Sequence, residues 1–480
     1  MNDRKGFGSN FGFLMAAVGS AVGLGNIWGF PNKMGANGGF PFLILYLALA
    51  LCCGVIIMLG ELALGRKTGH GAVGAYQSIS KRFKWLGWLG IAAAALIFSF
   101  YSALGGYCLR YVVVNFGNLI GAEFGTNGVG GADVFQGLLS QPDVSIAFAL
   151  AFMLITMLVV MCGVGGGIER VCSVGMPALF FILIICIIRS CTLPGAVDGL
   201  KYMFVPGWAV ANGIIDEAPG FWRVLTAAGG QMFFSLSLGA GVMITYGSYL
   251  DKKQDLGKST MIIVGMDTVV ALMAGLCVIP GRFALDPDGA LGGPELLFIT
   301  MQNVFDKMGP AGPVFGILFY LLVFFAAISS SISMLEVIVA HFCDKAREKG
   351  KGDRRKLYSA IAVVICAALC ALVCADGMGS NHISPAELLG LAGAKLPGWS
   401  TSWLGLFDSV AEGLLMPLGA LLMCLMISWE LKPDVLRQEI LLNGENRPWV
   451  YDFFRLCVKY ITPLCMLMIL YGQISDFFIV

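Results

Sequence analysis

The stretch Gly19–Pro31, GSAVGLGNIWGFP, sets a glycine-rich, polar interruption inside an apolar segment long enough to span a bilayer. In hydrocarbon an unpaired backbone amide or carbonyl costs several kcal/mol, so irregular backbone survives at membrane depth only where protein, water or an ion satisfies it. Transporters place such breaks at their substrate sites. Freed carbonyls and a side-chain amide such as that of Asn26 can replace the water around a small cation, while the amides of the outer half-helix can face a polar substrate. A packing kink is the plainer alternative, because glycines also let spanning helices approach closely.

Composition sets the class. The 480 residues are 58% hydrophobic and only 13% charged, a balance that a water-soluble domain does not show. The net charge of +1 points to no nucleic-acid partner. The 15 cysteines, such as Cys52, Cys53, Cys186, Cys277 and Cys424, lie mostly in apolar runs without metal-site spacing and read as small hydrophobes. The amino terminus lacks a cleavable signal pattern, so the first apolar segment reads as a retained span.

A window of about 20 residues gives eleven candidate spans, near 11–35, 40–65, 87–118, 145–162, 168–190, 221–249, 259–281, 311–343, 357–375, 404–429 and 452–475. The basic loops, with Arg66, Lys67, Lys81, Arg82 and Lys84, then Lys252, Lys253 and Lys258, then residues 344–356, all fall on one side. By the positive-inside rule that side is cytoplasmic, which puts the amino terminus inside the plasma (inner) membrane and the carboxyl tail outside. No low-complexity linker divides the chain, so residues 1–480 are expected to form one transmembrane domain.

Span six carries a second interruption, QMFFSLSLGAGVMITYGSYL from Gln231 to Leu250, with Ser235, Ser237, Gly239 and Gly241 in its middle. Breaks five spans apart fit an inverted repeat of five helices, spans one to five over about 11–190 and six to ten over about 221–429, with span eleven outside it. Ionisable residues within spans are costly, and Glu61, Asp267 and Glu336 stand out. Asp267, in IIVGMDTVVALMAG, is explained by a cation or by a hydrogen bond to a neighbouring helix. Glu61 suits the loose amides of a broken helix. Span eight adds the hydroxyls of Ser329, Ser330, Ser331 and Ser333, which can bond back to their own helix or serve as hard ligands for sodium.

These stretches resemble the neurotransmitter:sodium symporters, the family with the leucine-transporter fold. The resemblance runs through AAVGSAVGLGNIWGFP, GELALGR, FYSALGGYCLRY, GIERVCSVGMP, FFSLSLGAG and AAISSSISMLEVIVAHFCDK, and so covers nearly the whole chain. It implies an all-α membrane protein of eleven helices with helices one and six broken. It also implies a second sodium site from the carbonyls of Gly19, Val22 and Ala326 and the hydroxyls of Ser329 and Ser330. The first sodium site would take the Ala21 carbonyl, Asn26, Ser235 and Asp267. The substrate pocket would be lined by Ser20, Leu24, Gly25, Ile97, Tyr101, Phe234, Ser237, Ala240, Ser330 and Met334. Arg4 and Asp344 would form a cytoplasmic gate with Tyr249 and Glu336 beside them, and span five would unwind between Gly167 and Pro177.

Three positions depart from the family pattern. Gly29 replaces the arginine that closes the outer gate against a carboxylate kept here as Asp408, so the usual ion pair is excluded and closure is expected to rest on Phe234, Tyr101 and water. Asp267 stands where many relatives have asparagine, which implies chloride independence, and Ala240 implies spare apolar volume. The resemblance favours a hydrophobic or aromatic amino acid moved with Na+ by alternating access. A neutral aromatic or amine without a carboxylate, such as indole or tryptamine, competes. A substrate sensor without transport is a reading from another class, and an enzyme is not expected because no nucleophile–base pair or metal spacing is evident. The expected partners are a small-molecule substrate and membrane lipid, with the protein a monomer or weak dimer.

Overall fold

The computed structural model describes residues 6–126, 128–352, 354–391, 397–431, 434–441 and 448–478. Among them every regular element is a helix. Nine helices among the described residues are long and apolar enough to cross a membrane: Phe40–Thr68, Lys81–Ile120, Pro142–Met161, Val164–Cys191, Leu256–Leu285, Gly309–Glu348, Arg355–Gly379, Trp403–Glu430 and Pro448–Ser475. The pair Asn10–Ala21 and Gly25–Ala36, bent by 44°, makes a tenth span. The eleventh is span six, whose pieces Phe221–Leu236 and Val242–Gly247 are too short to pass as spans separately. Numbered along the chain, the broken helices are therefore spans one and six, as the interruptions require.

Each break has a local cause. Span one begins under a Ser9 cap, with Oγ accepting from the Gly12 amide at 2.9 Å, and stops where Val22 turns extended at ψ 100°. The chain restarts through a wide turn at Gly25–Gly29 into Phe30–Ala36, with Pro31 in the first turn where its missing N–H does no harm. Span six ends at Ser237, which adopts φ 52°, and crosses Gly239 and Gly241 at φ 77° and 73° before Val242. Glycine at 239 is required twice over, because a Cβ there would also stand 2.2 Å from the Met416 carbonyl oxygen. The Gly239 amide donates to Glu61 Oε1 at 2.7 Å, the role that the sequence indicated for Glu61.

The intact helices form the frame around these breaks. Spans three and eight, each a continuous helix of 37 residues, pack along one another. Span three also meets span four closely, since a Cβ on Gly106 would lie 2.5 Å from the Ala149 amide nitrogen. Large apolar side chains such as Phe181 and Val364 point outward, as a helix facing lipid requires. Span five is helical from Glu169 through Pro177 to Cys191 after a wide turn at Val164–Ile168, so the expected unwinding between Gly167 and Pro177 is not present in this conformation. Its first turn is pinned, because the Glu169 carboxylate accepts from the Gly8 amide at 2.7 Å and the Ser9 hydroxyl at 2.9 Å.

Thermal unfolding in detergent should separate two glycines of similar backbone. Gly121→Ala, at φ 68° with open space around it, should cost about 1 kcal/mol. Gly239→Ala should leave little folded protein.

Candidate functional site

The break in span one exposes amides and carbonyls that Asn26 of the same span and side chains from three other spans satisfy. The Gly23 amide donates to Asn26 Oδ1 at 3.0 Å, and the Leu24 amide donates to the Tyr101 hydroxyl at 2.7 Å. The Gly25 carbonyl accepts from Gln231 Nε2 at 2.6 Å. The Ser20 carbonyl accepts from Ser237 Oγ at 3.0 Å and Ser330 Oγ at 3.1 Å. This backbone is so closely wrapped that a Cβ on Gly23 would stand 2.2 Å from Ser330 Oγ.

One group of oxygens is short of protons. Ser329 Oγ lies 3.4 Å from the Val22 carbonyl and 3.0 Å from that of Ala326, while Ser330 Oγ lies 3.4 Å from the Gly19 carbonyl. Each hydroxyl has a single proton to donate, so the five residues Gly19, Val22, Ala326, Ser329 and Ser330 bring together more acceptors than donors. A hard cation is served by such a set of neutral oxygens. The structure thus gathers the residues expected at the second sodium site.

A second group surrounds Asp267, which is fully buried in span seven. Its Oδ1 accepts from Asn26 Nδ2 at 2.8 Å, and its carboxylate accepts from the Ser235 hydroxyl at 3.1 and 2.9 Å. The Tyr46 hydroxyl donates to Oδ2 at 3.2 Å. These donors are all neutral. A buried carboxylate held only by neutral donors leaves a charge that a small cation would offset. Ala21, the last residue of the first half-helix, is buried, and the Asn26 amide nitrogen rather than its oxygen faces Asp267.

The expected pocket residues are all buried. Ile97 and Tyr101 lie one turn apart on span three, and Ser330 and Met334 one turn apart on span eight. The Tyr101 and Phe234 rings sit 6.2 Å apart at their centroids, and Phe234 also lies against Gly25. Ser20 Oγ donates to Ser333 Oγ at 2.7 Å. Ala240 packs its carbonyl toward Gly90 at the start of span three.

At the basic-loop end, Tyr249 donates to Glu336 Oε1 at 2.6 Å, and Arg355 grips the same carboxylate at 2.5 and 3.0 Å. Asp344 accepts from the Gly71 amide at 3.1 Å, with Arg347 at 3.8 Å. Arg4 lies outside the described residues. A cleft of about 1000 Å³ opens here, between Gly163–Gly166, Tyr249, Asp344 and Arg355.

At the other end one expectation needs correction. An ion pair does join spans one and ten, although Gly29 cannot supply it: Lys33 Nζ bonds Glu412 Oε1. The lysine sits one turn along from Gly29 and the glutamate one turn along from Asp408, while Asp408 itself is still present. Sequence reasoning missed this pair, and also Tyr46, Gln231 and Arg355. Glu412 and Gln231 had a usable signal, a polar residue inside an apolar span.

The chain matches the model of the sodium:neurotransmitter symporter family over residues 4–127 and 131–478. It is 36% identical over 477 residues to the uncharacterized sodium-dependent transporter YhdH of Bacillus subtilis, covering 97% of each chain. Identity to an uncharacterized sodium-dependent transporter of Methanocaldococcus jannaschii is 30% over 458 residues, 91% of this chain and 84% of that one. The fold is similar to the crystal structure of MhsT in complex with L-phenylalanine, with a TM-score of 0.83, 34% identity, and 98% of this chain and 100% of that chain covered. The chain therefore belongs to the sodium:neurotransmitter symporter family, and it is a membrane transporter, not an enzyme, that uses Na+ as its coupling ion.

Proposed function

We propose that this protein moves a small hydrophobic or aromatic amino acid together with Na+ by alternating access, without needing chloride. The observation that carries the reading is Asp267, a buried carboxylate bonded to neutral donors from spans one, two and six. Sodium at this cluster and at the Ser329 and Ser330 oxygens would tie both broken spans to the frame. Ion binding then organises the pocket, and the substrate gains affinity by a coupling free energy that typically amounts to about 1–3 kcal/mol and acts reciprocally. The whole-chain similarity to MhsT, whose structure contains L-phenylalanine, supports an amino acid. So does the Tyr101 hydroxyl beside the Leu24 and Gly25 backbone, a place for a carboxylate.

The basic loops supply the argument for a cytoplasmic face at the Tyr249 and Glu336 end. There Tyr249–Glu336–Arg355 and the surroundings of Asp344 would part when the site opens inward, Arg4 having been expected to pair with Asp344. Unwinding of span five between Gly167 and Pro177 would belong to that inward-open state. A second reading has its own observation. With Gly29 bare and an acid already at the first ion site, a substrate without a carboxylate, indole or tryptamine, would fit the charge pattern equally well.

Binding of tryptophan, tryptamine and indole to purified protein, each in sodium and in potassium, tests the proposal. Sodium-dependent tryptophan binding is expected; binding of indole or tryptamine alone would transfer the substrate to the second reading, and no sodium dependence with any of them would sink both. Asp267→Ala should abolish sodium-dependent binding, whereas Cys186→Ala, in the apolar run toward the end of span five, should leave it intact. Replacing chloride by gluconate should change wild-type binding less than about twofold, under ~0.4 kcal/mol. Strict chloride dependence would remove Asp267 from its charge-supplying role.

A further inference from the structure

Spans five and seven run alongside one another, and their register sets two cysteines face to face. Gly281 of span seven packs on Ser190 of span five, where a Cβ would lie 3.0 Å from Ser190 Oγ. One turn back along each helix stand Cys277 and Cys186, both buried. Their thiols lie within hydrogen-bonding reach of each other. Cys191, further along span five, is turned instead to the Leu276 carbonyl, with its sulfur 3.7 Å from the oxygen. The contact therefore joins one thiol from each span.

Beside this pair lies a small cavity of about 10 Å³, room for roughly one water-sized sphere. Cys186, Ser190, Cys277, Met301 and Met308 line it. Arg189 lines it too, with its guanidinium 6.0 Å from the centre of the Phe315 ring. Among the described residues no histidine or carboxylate borders the space, so sulfur dominates its donors. Thiolate and thioether donors select soft cations such as cuprous ion, whereas a structural zinc takes four ligands in a tetrahedron and sodium prefers hard oxygens. Ser190 supplies a separate sign. Its buried hydroxyl has no hydrogen-bond partner among the described residues. Such a group is costly, and a thiolate one turn away on the same helix would accept its proton.

We propose that Cys186 and Cys277 hold a soft monovalent cation of the cuprous class, joining span five to span seven, with Met301 and Met308 as thioether neighbours. Binding releases the two thiol protons and forms two metal–sulfur bonds without a change of oxidation state. One cation and two thiolates leave a single negative charge, which the Arg189 guanidinium offsets. An ion that bridges two helices of the folded protein stabilises it by mass action. The site shares no residue with the sodium and substrate positions proposed above, so it stands apart from the symporter reading.

The test titrates full-length, reduced protein in nanodiscs with cuprous ion under anaerobic conditions, against a chromophoric cuprous chelator, and follows thermal unfolding alongside. Cys186→Ser and Cys277→Ser should each retain one ion fewer than the wild type, the affinity for that ion falling about a hundredfold, equivalent to ~2.8 kcal/mol. Both should lose part of the copper-induced rise in unfolding temperature, whereas Cys191→Ser should match the wild type in both readings. Copper-edge X-ray absorption on the wild type needs no variant, and a first shell of sulfur alone is expected. Oxygen or nitrogen in that shell, no retained ion, or retention indifferent to both cysteines would overturn the site. A Cys186–Cys277 disulfide that reduction opens without any gain in copper retention would also overturn it, making the pair an oxidation site instead. Sodium-dependent substrate binding measured without copper should be the same in all three variants, so a failure of the transport reading leaves the copper result untouched.

Discussion

Everything else in this structure follows from two stretches of backbone that cannot complete their own hydrogen bonds in a place without bulk water. At Val22–Leu24 and Ser237–Gly241 the helices stop, and the groups left over are met by side chains from elsewhere. Tyr101 of span three, Gln231 of span six, Ser330 of span eight and Glu61 of span two each contribute a bond to a break. The polar groups that keep the breaks affordable are the same groups that surround the proposed ion and substrate positions. Fold and site are therefore one problem: a substitution that damages one damages the other.

Charge divides the buried carboxylates by purpose. Glu336 is gripped by Arg355, Glu412 by Lys33, and Glu61 by an amide at the break in span six. Asp267 is held by an asparagine, a serine and a tyrosine. Breaking a buried pair by removing one partner typically costs about 3–5 kcal/mol, so a carboxylate placed at full burial without a protein cation is an expensive feature unless an external ion joins it. In the proposed site that ion would be sodium, the coupling ion of the family. The Lys33–Glu412 pair and the Tyr249–Glu336–Arg355 network stand at opposite ends of the helices that carry the breaks.

Much of this was legible in the sequence. Apolar runs of bilayer length and two glycine-rich breaks five spans apart suffice for the helices, and the small and hydroxylic residues within them mark where the chain is used. What the sequence could not show is pairing through space. Gln231 stands in the very stretch that revealed the second break, yet its bond to the Gly25 carbonyl depends on how span six lies against span one. Tyr46 reads as one more aromatic residue in an apolar helix until its hydroxyl meets Asp267. Arg355 lies in a basic loop and Lys33 at the end of a span, and neither has its partner near in sequence. Gly29 leaves its position without a cation, and finding the cation at Lys33 needs the helix register of two spans.

The central claim is that the broken backbone and Asp267 form a site organised by sodium. Direct binding of radioactive sodium to the purified protein in potassium buffer tests it without any knowledge of the substrate. Saturable binding that competes with unlabelled sodium, and that falls when Asp267 is replaced, is the result the account predicts. Absence of saturable binding, or binding indifferent to Asp267, would contradict it.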